Sequence, residues 1–361
     1  MTSRKLWIAA VAVIVLGLAA LVIRGVLRPG GGRLVAHDRP VGIMGTQTSL
    51  TVVAGPGQRA VARRALLEAQ TALRRVEARM SAYLEASELA RLNAAAAGKA
   101  MELSPEALEV LRLSKRLHSE TDGAFDATCL PLFRLWSQAG RNKRLPTAGE
   151  LTAARAACGW DKWELLERGA RKSVDGAGVG LGGIAKGFGI DRAAEAMRRE
   201  GALGGLVEVG GDIRCFGPSP GGGKWRIAVR NPFGKADSGF FGTLELADAA
   251  VCTSGNYERF TEIAGRHYSH IIDPRTGMPV DFAPSVTVVA SMTAIADGWA
   301  TALSVLGPDG FRLIPSGSGI EAMIVTGGPA DYRIHQTAGF GKLLAEPVAS
   351  AASTSPMPAP P

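Results

Sequence analysis

No acidic residue precedes Asp38, cysteine occurs only 4 times in 361 residues, and no run of like charge develops along the chain. Each scarcity excludes something. The formal charge is +8, but Arg4, Lys5, Arg24, Arg28 and Arg33 all lie ahead of that first acid and leave only +3 for the remainder. That balance is too mild for a nucleic-acid partner. The pairs Arg63-Arg64, Arg74-Arg75 and Arg198-Arg199 are scattered along predicted helices, as solvated faces are. Cys129, Cys158, Cys215 and Cys252 include no C-x-x-C pair and sit in apolar or glycine-rich surroundings that suit buried free thiols, with a disulfide left open in an oxidising compartment. No internal repeat of fixed period is present, and no composition bias of a disordered or fibrous chain.

What the chain does have is 46% apolar side chains, enough for a sizeable core in one large domain or two ordinary ones. Residues 6–23 are free of charge, a length that as a helix approaches the thickness of a bilayer's hydrocarbon core. This predicts a transmembrane anchor within residues 1–27. A cleaved secretory signal fits less well, because Arg24 and Arg28 follow with no small-x-small site between them. No cysteine lies nearby to accept a lipid. Cations flank the segment on both sides, so charge alone does not orient it. Residues 28–40 read as a linker, and residues 343–361, a run of Ala, Pro and Ser, as a flexible tail.

Between them, the β-branched run at 48–53 predicts a strand, entered through Met44-Gly45-Thr46. Val61, Ala65, Ala69, Leu73, Val76 and Met80 then recur at helical spacing. Ser104-Pro105-Glu106 has the cap, first-turn proline and early acid that open a helix through Leu117, and Thr147 with Glu150 forms a capping-box pattern for another. Strands are predicted at 206–209, 226–229 and 286–290, and helices at 186–200 and 296–306, the latter stopped by Gly307-Pro308. The order is not a strict βαβ alternation, so it predicts an α+β domain at 41–342 with a largely antiparallel sheet and flanking helices.

Three short constellations carry chemistry. The run LGGIAKG at 181–187 is a glycine-rich turn entering a helix, where backbone N–H groups meet an anion and Lys186 adds charge. Its spacing matches neither the P-loop nor the dinucleotide fingerprint, which excludes a Rossmann reading. Asp297 and Thr301 stand four residues apart, so a carboxylate and a hydroxyl share one helix face and offer hard oxygens to Mg²⁺. Taken alone, the pair has a plainer reading in which Asp297 caps its helix and Thr301 bonds back to a carbonyl. His270 opens HIIDPRTG, a short strand ending in a turn set by Pro274 and Gly277. A neutral imidazole there takes a proton from a hydroxyl near neutral pH, with Asp273 or Arg275 placing it or the anion; the plain alternative is a strand-edge histidine before a hairpin turn.

Together these elements resemble the ApbE family of flavin transferases. The resemblance spans Met44-Gly45-Thr46, Met80-Ser81-Ala82-Tyr83, Ser87-Glu88-Leu89 and Gly123-Ala124-Phe125-Asp126-Ala127-Thr128 with Pro131-Leu132 and Leu135-Trp136. It continues through LGGIAKG with Asp191, Glu208-Val209-Gly210-Gly211-Asp212, Thr253-Ser254-Gly255-Asn256-Tyr257-Glu258-Arg259, HIIDPRTG, Ser285-Val286-Thr287-Val288, and Ala296-Asp297 with Thr301. Several motifs in one order are far more specific than any one of them.

The resemblance implies an ApbE-like, T-fold-like domain that binds FAD at Met44, Tyr83, Ala124, Phe125, Asp126, Gly180, Lys186 and the backbone near Ile271. Tyr83 and Phe125 offer stackable surfaces for flavin or adenine. Mg²⁺ is implied at Asp297, Thr301 and the carbonyl of Gly183, and His270 is implied as the group assisting the attacking hydroxyl. Gly180 departs from the polar residue usual in the family, and Asp175 lies too far upstream to replace it without a loop rearrangement. Ala127 and Cys129 also depart, with little effect expected. The implied activity is Mg²⁺-dependent transfer of FMN from FAD to a Thr or Ser hydroxyl of an acceptor protein, releasing AMP, the acceptor being a membrane redox complex subunit. An FAD pyrophosphatase, or a non-catalytic flavin carrier for such a complex, is the alternative. The same resemblance implies an inner-membrane anchor with the catalytic domain in the periplasm.

Overall fold

The computed structural model describes residues 32–234, 239–255, 260–263, 265–280 and 283–345. The predicted anchor falls outside the described residues, as do Asn256, Tyr257, Glu258 and Arg259 of one family motif. Among the described residues, no helix is long and apolar enough to cross a membrane.

In chain order the elements are β1 (Leu34–Asp38), β2 (Thr48–Ala54), α1 (Arg59–Met80), α2 (Glu88–Ala94), β3 (Met101–Glu102), α3 (Pro105–Glu120), α4 (Leu130–Asn142) and α5 (Ala148–Ala156). There follow β4 (Trp163–Leu165), β5 (Gly169–Lys172), α6 (Ala185–Arg199), β6 (Gly204–Val209), β7 (Asp212–Phe216), β8 (Trp225–Arg230), β9 (Phe240–Leu246) and β10 (Ala249–Gly255). The last are β11 (Phe260–Ile263), β12 (Arg266–Ser269), β13 (Ser285–Ala290), α7 (Thr293–Leu306), β14 (Glu321–Thr326), β15 (Arg333–Gln336) and α8 (Phe340–Leu343). The predicted α+β class holds: one sheet runs in the order β1-β2-β6-β7-β10-β13-β14-β15, with every neighbouring pair antiparallel.

The sheet is the middle layer. Strand periodicity sends Leu50, Val52 and Ala54 of β2 toward α1 and α6, where they meet Ala65, Ala69, Leu73 and Ile190. Val53 points the other way, into a core shared with the β8–β9 hairpin through Trp225, Ile227 and Leu244. The same split divides β13: Val286 and Val288 join the helical side with Trp299 and Leu303, and Val289 joins the hairpin side. All four cysteines are free thiols, three of them buried.

Two boundaries differ from the sequence reading. The stretch taken as a linker, 28–40, contains β1, whose residues pair from Leu34↔Ala54 to Asp38↔Leu50. At the other end Leu343 and Leu344 pack onto the hairpin core, and Ala345 N donates to Thr243 O at 2.8 Å. Both segments were too short to show a period of their own.

Local caps explain which helices begin where predicted. Ser104 accepts from Ala107 N at the start of α3. The capping box of α5 is complete, with Thr147 Oγ1 accepting from Glu150 N and the Glu150 carboxylate accepting from Thr147 N. Helix α7 instead starts at Thr293, ahead of the predicted 296, because its cap comes from another element: Asp191 of α6 accepts from Thr293 N, Thr293 Oγ1 and Ala294 N at 2.8, 2.8 and 2.9 Å.

Candidate functional site

The glycine-rich turn leads into α6, as predicted, and is closed by Ile184 N and Ala185 N donating to Leu181 O at 3.1 and 2.8 Å. Gly182 is exposed, with open space where a side chain would stand. Gly183 is hemmed in: a Cβ there would lie 2.9 Å from Thr301 Oγ1 and 3.3 Å from Phe125 Cε2. At Gly187 a Cβ would lie 2.5 Å from Thr293 O, so α6 and α7 touch backbone to backbone. Across that contact Gly187 N donates to Asp297 Oδ2 at 3.0 Å, and Thr301 Oγ1 donates to Asp297 O at 3.1 Å.

The structure therefore brings Gly183, Asp297 and Thr301 into one corner although 114 positions separate the first two in sequence. Thr301 does bond back to a carbonyl. Asp297 does not cap its helix; it lies beyond the first turn of α7, 6% exposed, and accepts from the neighbouring helix. Carboxylate, hydroxyl and main-chain carbonyl are all hard oxygens, a donor set that fits Mg²⁺. Among the described residues no group of three His, Cys, Asp or Glu is placed to hold a metal, so a site here rests on this mixed set.

Lys186 is ion-paired with Asp212, which is 2% exposed and also accepts from Thr253 N at 3.1 Å. The sequence offered Asp212 only as part of a motif with no assigned task. Its task is to hold Lys186 beside the turn, with β10 fixing the carboxylate.

The other predicted contacts divide. Met44, at φ 50°, runs its side chain into the core: a Cβ on Gly189 would stand 2.5 Å from Met44 Cε. Ala124 and Phe125 are 2% and 3% exposed, so Phe125 is not the stackable surface the sequence suggested; its ring backs the Gly183 turn. The Asp126 carboxylate accepts from Thr128 N and Oγ1 at 2.8 and 2.7 Å and lies 3.6 Å from His118 Nδ1; burial, the largest influence, raises its pKa. Gly180 N donates to Ala127 O at 2.7 Å, and a Cβ there would press on Leu130 at 3.3 Å. Asp175 accepts from Ala97 N, so it does not stand in for a polar residue at 180. Ile271 N donates to Ser269 Oγ, and its carbonyl accepts from Val280 N. Tyr83, by contrast, is 95% exposed.

His270 is exposed immediately after β12. The turn beyond it is tightly tied: Asp273 accepts from Arg275 N, Nε and Nη2 at 2.9, 2.9 and 3.0 Å, and Gly277, at φ 77°, donates to Asp273 O. Trp136 Nε1 and Arg155 Nη2 donate to Gly277 O and Arg275 O, docking the turn on α4 and α5. Asp273 and Arg275 thus hold each other, and the carboxylate raises the Arg275 pKa.

Residues 44–324 match the profile of the ApbE family. The FAD:protein FMN transferase of Vibrio cholerae serotype O1 is 32% identical over 306 residues, covering 84% of this chain and 91% of that protein. The FAD:protein FMN transferase of Haemophilus influenzae is 34% identical, covering 67% of this chain and 72% of that protein. Among solved structures, the apo flavinyl transferase ApbE of Pseudomonas stutzeri superposes with a TM-score of 0.77 at 30% identity, over 89% of this chain and 100% of that one. The flavin transferase ApbE of Vibrio cholerae does so with a TM-score of 0.74 at 30% identity, over 86% and 100%. The chain belongs to the ApbE family.

Proposed function

We propose that this chain transfers the FMN half of FAD to a threonine or serine hydroxyl of an acceptor protein and releases AMP. The observation that carries the reading is the corner at the start of α6, where the glycine-rich turn, Asp297 and Thr301 converge. The relatives bearing the name FAD:protein FMN transferase support the choice of substrate.

The N–H groups of Gly182 and Gly183, at the positive end of α6, receive the pyrophosphate oxygens. Lys186 adds charge from a position fixed by Asp212. Asp297, Thr301 and the Gly183 carbonyl would hold Mg²⁺. When bound, Mg²⁺ offsets negative charge developing on the phosphate oxygens. His270 accepts the proton of the acceptor hydroxyl as that oxygen bonds to the FMN phosphorus and the P–O bond to AMP breaks. Its exposure suits an acceptor as large as a protein segment. Tyr83, 95% exposed on its loop, offers a ring for the flavin or adenine to stack on.

We place the catalytic domain on the periplasmic side of the inner membrane, held by residues 1–27, with a membrane redox complex subunit as acceptor; the uncharged run at 6–23 supports the anchor. Protease accessibility of the domain in spheroplasts tests this placement.

The activity is tested by incubating the full chain in detergent with FAD, Mg²⁺ and a candidate acceptor. AMP together with flavin fluorescence on the denatured acceptor supports the transferase. AMP with free FMN alone makes the protein a hydrolase, and bound FAD without AMP makes it a carrier.

A further inference from the structure

The two helices that form the corner lack caps from their own ends. Ile184 precedes α6 and Met292 precedes α7, and neither makes a side-chain cap. Each helix borrows a carboxylate from the other instead. Asp297 of α7 takes the N–H of Gly187 in the first turn of α6. Asp191 of α6 takes Thr293 N and Oγ1 on one oxygen and Ala294 N on the other. Asp191 is only 4% exposed, and burial raises its pKa although those hydrogen bonds and Arg214 act in the opposite direction.

We propose that Asp191 is a positioning residue for the metal corner, setting the axial position and rotation of α7 that bring Asp297 and Thr301 against Gly183. One carboxylate gripping three donors from two consecutive residues fixes more than a helix end. An α-helix is stiff at its 1.5 Å rise per residue, so a shift at Thr293 is carried to Asp297 and on to Thr301. The tolerance is small, because a Cβ on Gly183 would stand only 2.9 Å from Thr301 Oγ1 and the Asp297 bond to Gly187 is 3.0 Å. Second-layer groups of this kind govern metal affinity without touching the metal. The inference rests on the reading of Gly183, Asp297 and Thr301 as the Mg²⁺ site.

The test uses the full chain in detergent with FAD, comparing wild type, Asp191→Asn, Thr293→Val and Asp297→Ala. Mn²⁺ uptake is followed by the paramagnetic resonance of the free ion, and AMP release is measured across a Mg²⁺ titration. Asparagine turns one acceptor into a donor facing Ala294 N, so Asp191→Asn should raise the half-saturating metal concentration about tenfold or more. Thr293→Val removes one of three bonds and should raise it about threefold, with the turnover at saturating metal within about twofold of wild type for both. Wild-type metal affinity in both variants, with only thermal stability lowered, overturns the inference alone. If Asp191→Asn does not fold, Thr293→Val decides. No uptake by wild type, or unchanged uptake by Asp297→Ala, overturns the metal-site reading and the inference with it.

Discussion

At the α6–α7 corner Asp297 is 6% exposed and bonded into its neighbour helix, whereas Tyr83 is 95% exposed and His270 is exposed just beyond β12; these two are the proposed rim. The corner is made of backbone contact, glycines and carboxylates that serve two helices at once. The rim is made of side chains on loops. The parts proposed to bind phosphate and metal are therefore inseparable from the core, and the parts proposed to meet the flavin and the acceptor are not. Substitutions in the corner should cost both stability and activity; those on the rim should cost activity alone.

Asp297→Ala should have the largest effect. It removes the one carboxylate among the three groups proposed to hold Mg²⁺ and should lower the rate of AMP release by about a thousandfold or more, the several kcal/mol a metal supplies to developing charge. It also strands Gly187 N, so thermal unfolding should fall by an amount equivalent to about 1–3 kcal/mol. Full activity in this variant removes the metal assignment. His270→Gln should lower transfer about a hundredfold, as expected for loss of a general base. Because His270 is exposed, its loss of stability should be smaller than that of Asp297→Ala. A large loss of stability there would erase the contrast between corner and rim.

Gly183→Ala forces a methyl against Thr301 Oγ1 and Phe125. It should cost about 1–3 kcal/mol in a denaturant titration, as overpacking does, and weaken apparent Mg²⁺ affinity in the same variant. Tyr83→Ala should act least, raising the FAD KM about three- to tenfold through loss of a stacking surface, with kcat and melting temperature unchanged. A kcat loss instead would move Tyr83 from binding to chemistry.

The sequence made the fold legible wherever the signal was local. Ser104 and the Thr147–Glu150 box announce their helices because cap and helix are neighbours in the chain. The start of α7 was hidden because its cap, Asp191, lies far upstream on another helix. The plainer alternative for Asp297, a cap of its own helix, fails for the same reason: a carboxylate near a helix start looks local until packing supplies Gly187 N. Phe125 looked like a surface for a ring because a motif does not say which way a side chain turns; the glycine at 183 leaves room for it inside. Convergence of Gly183 with Thr301 came only from resemblance, since no spacing rule links residues so far apart.

The corner itself is the proposed metal site. Crystals soaked with Mn²⁺ and FAD, measured at the manganese absorption edge, test it directly. One anomalous peak is expected, in contact with the Asp297 carboxylate, Thr301 Oγ1 and Gly183 O. A peak elsewhere, or none under conditions in which FAD is cleaved, would contradict it.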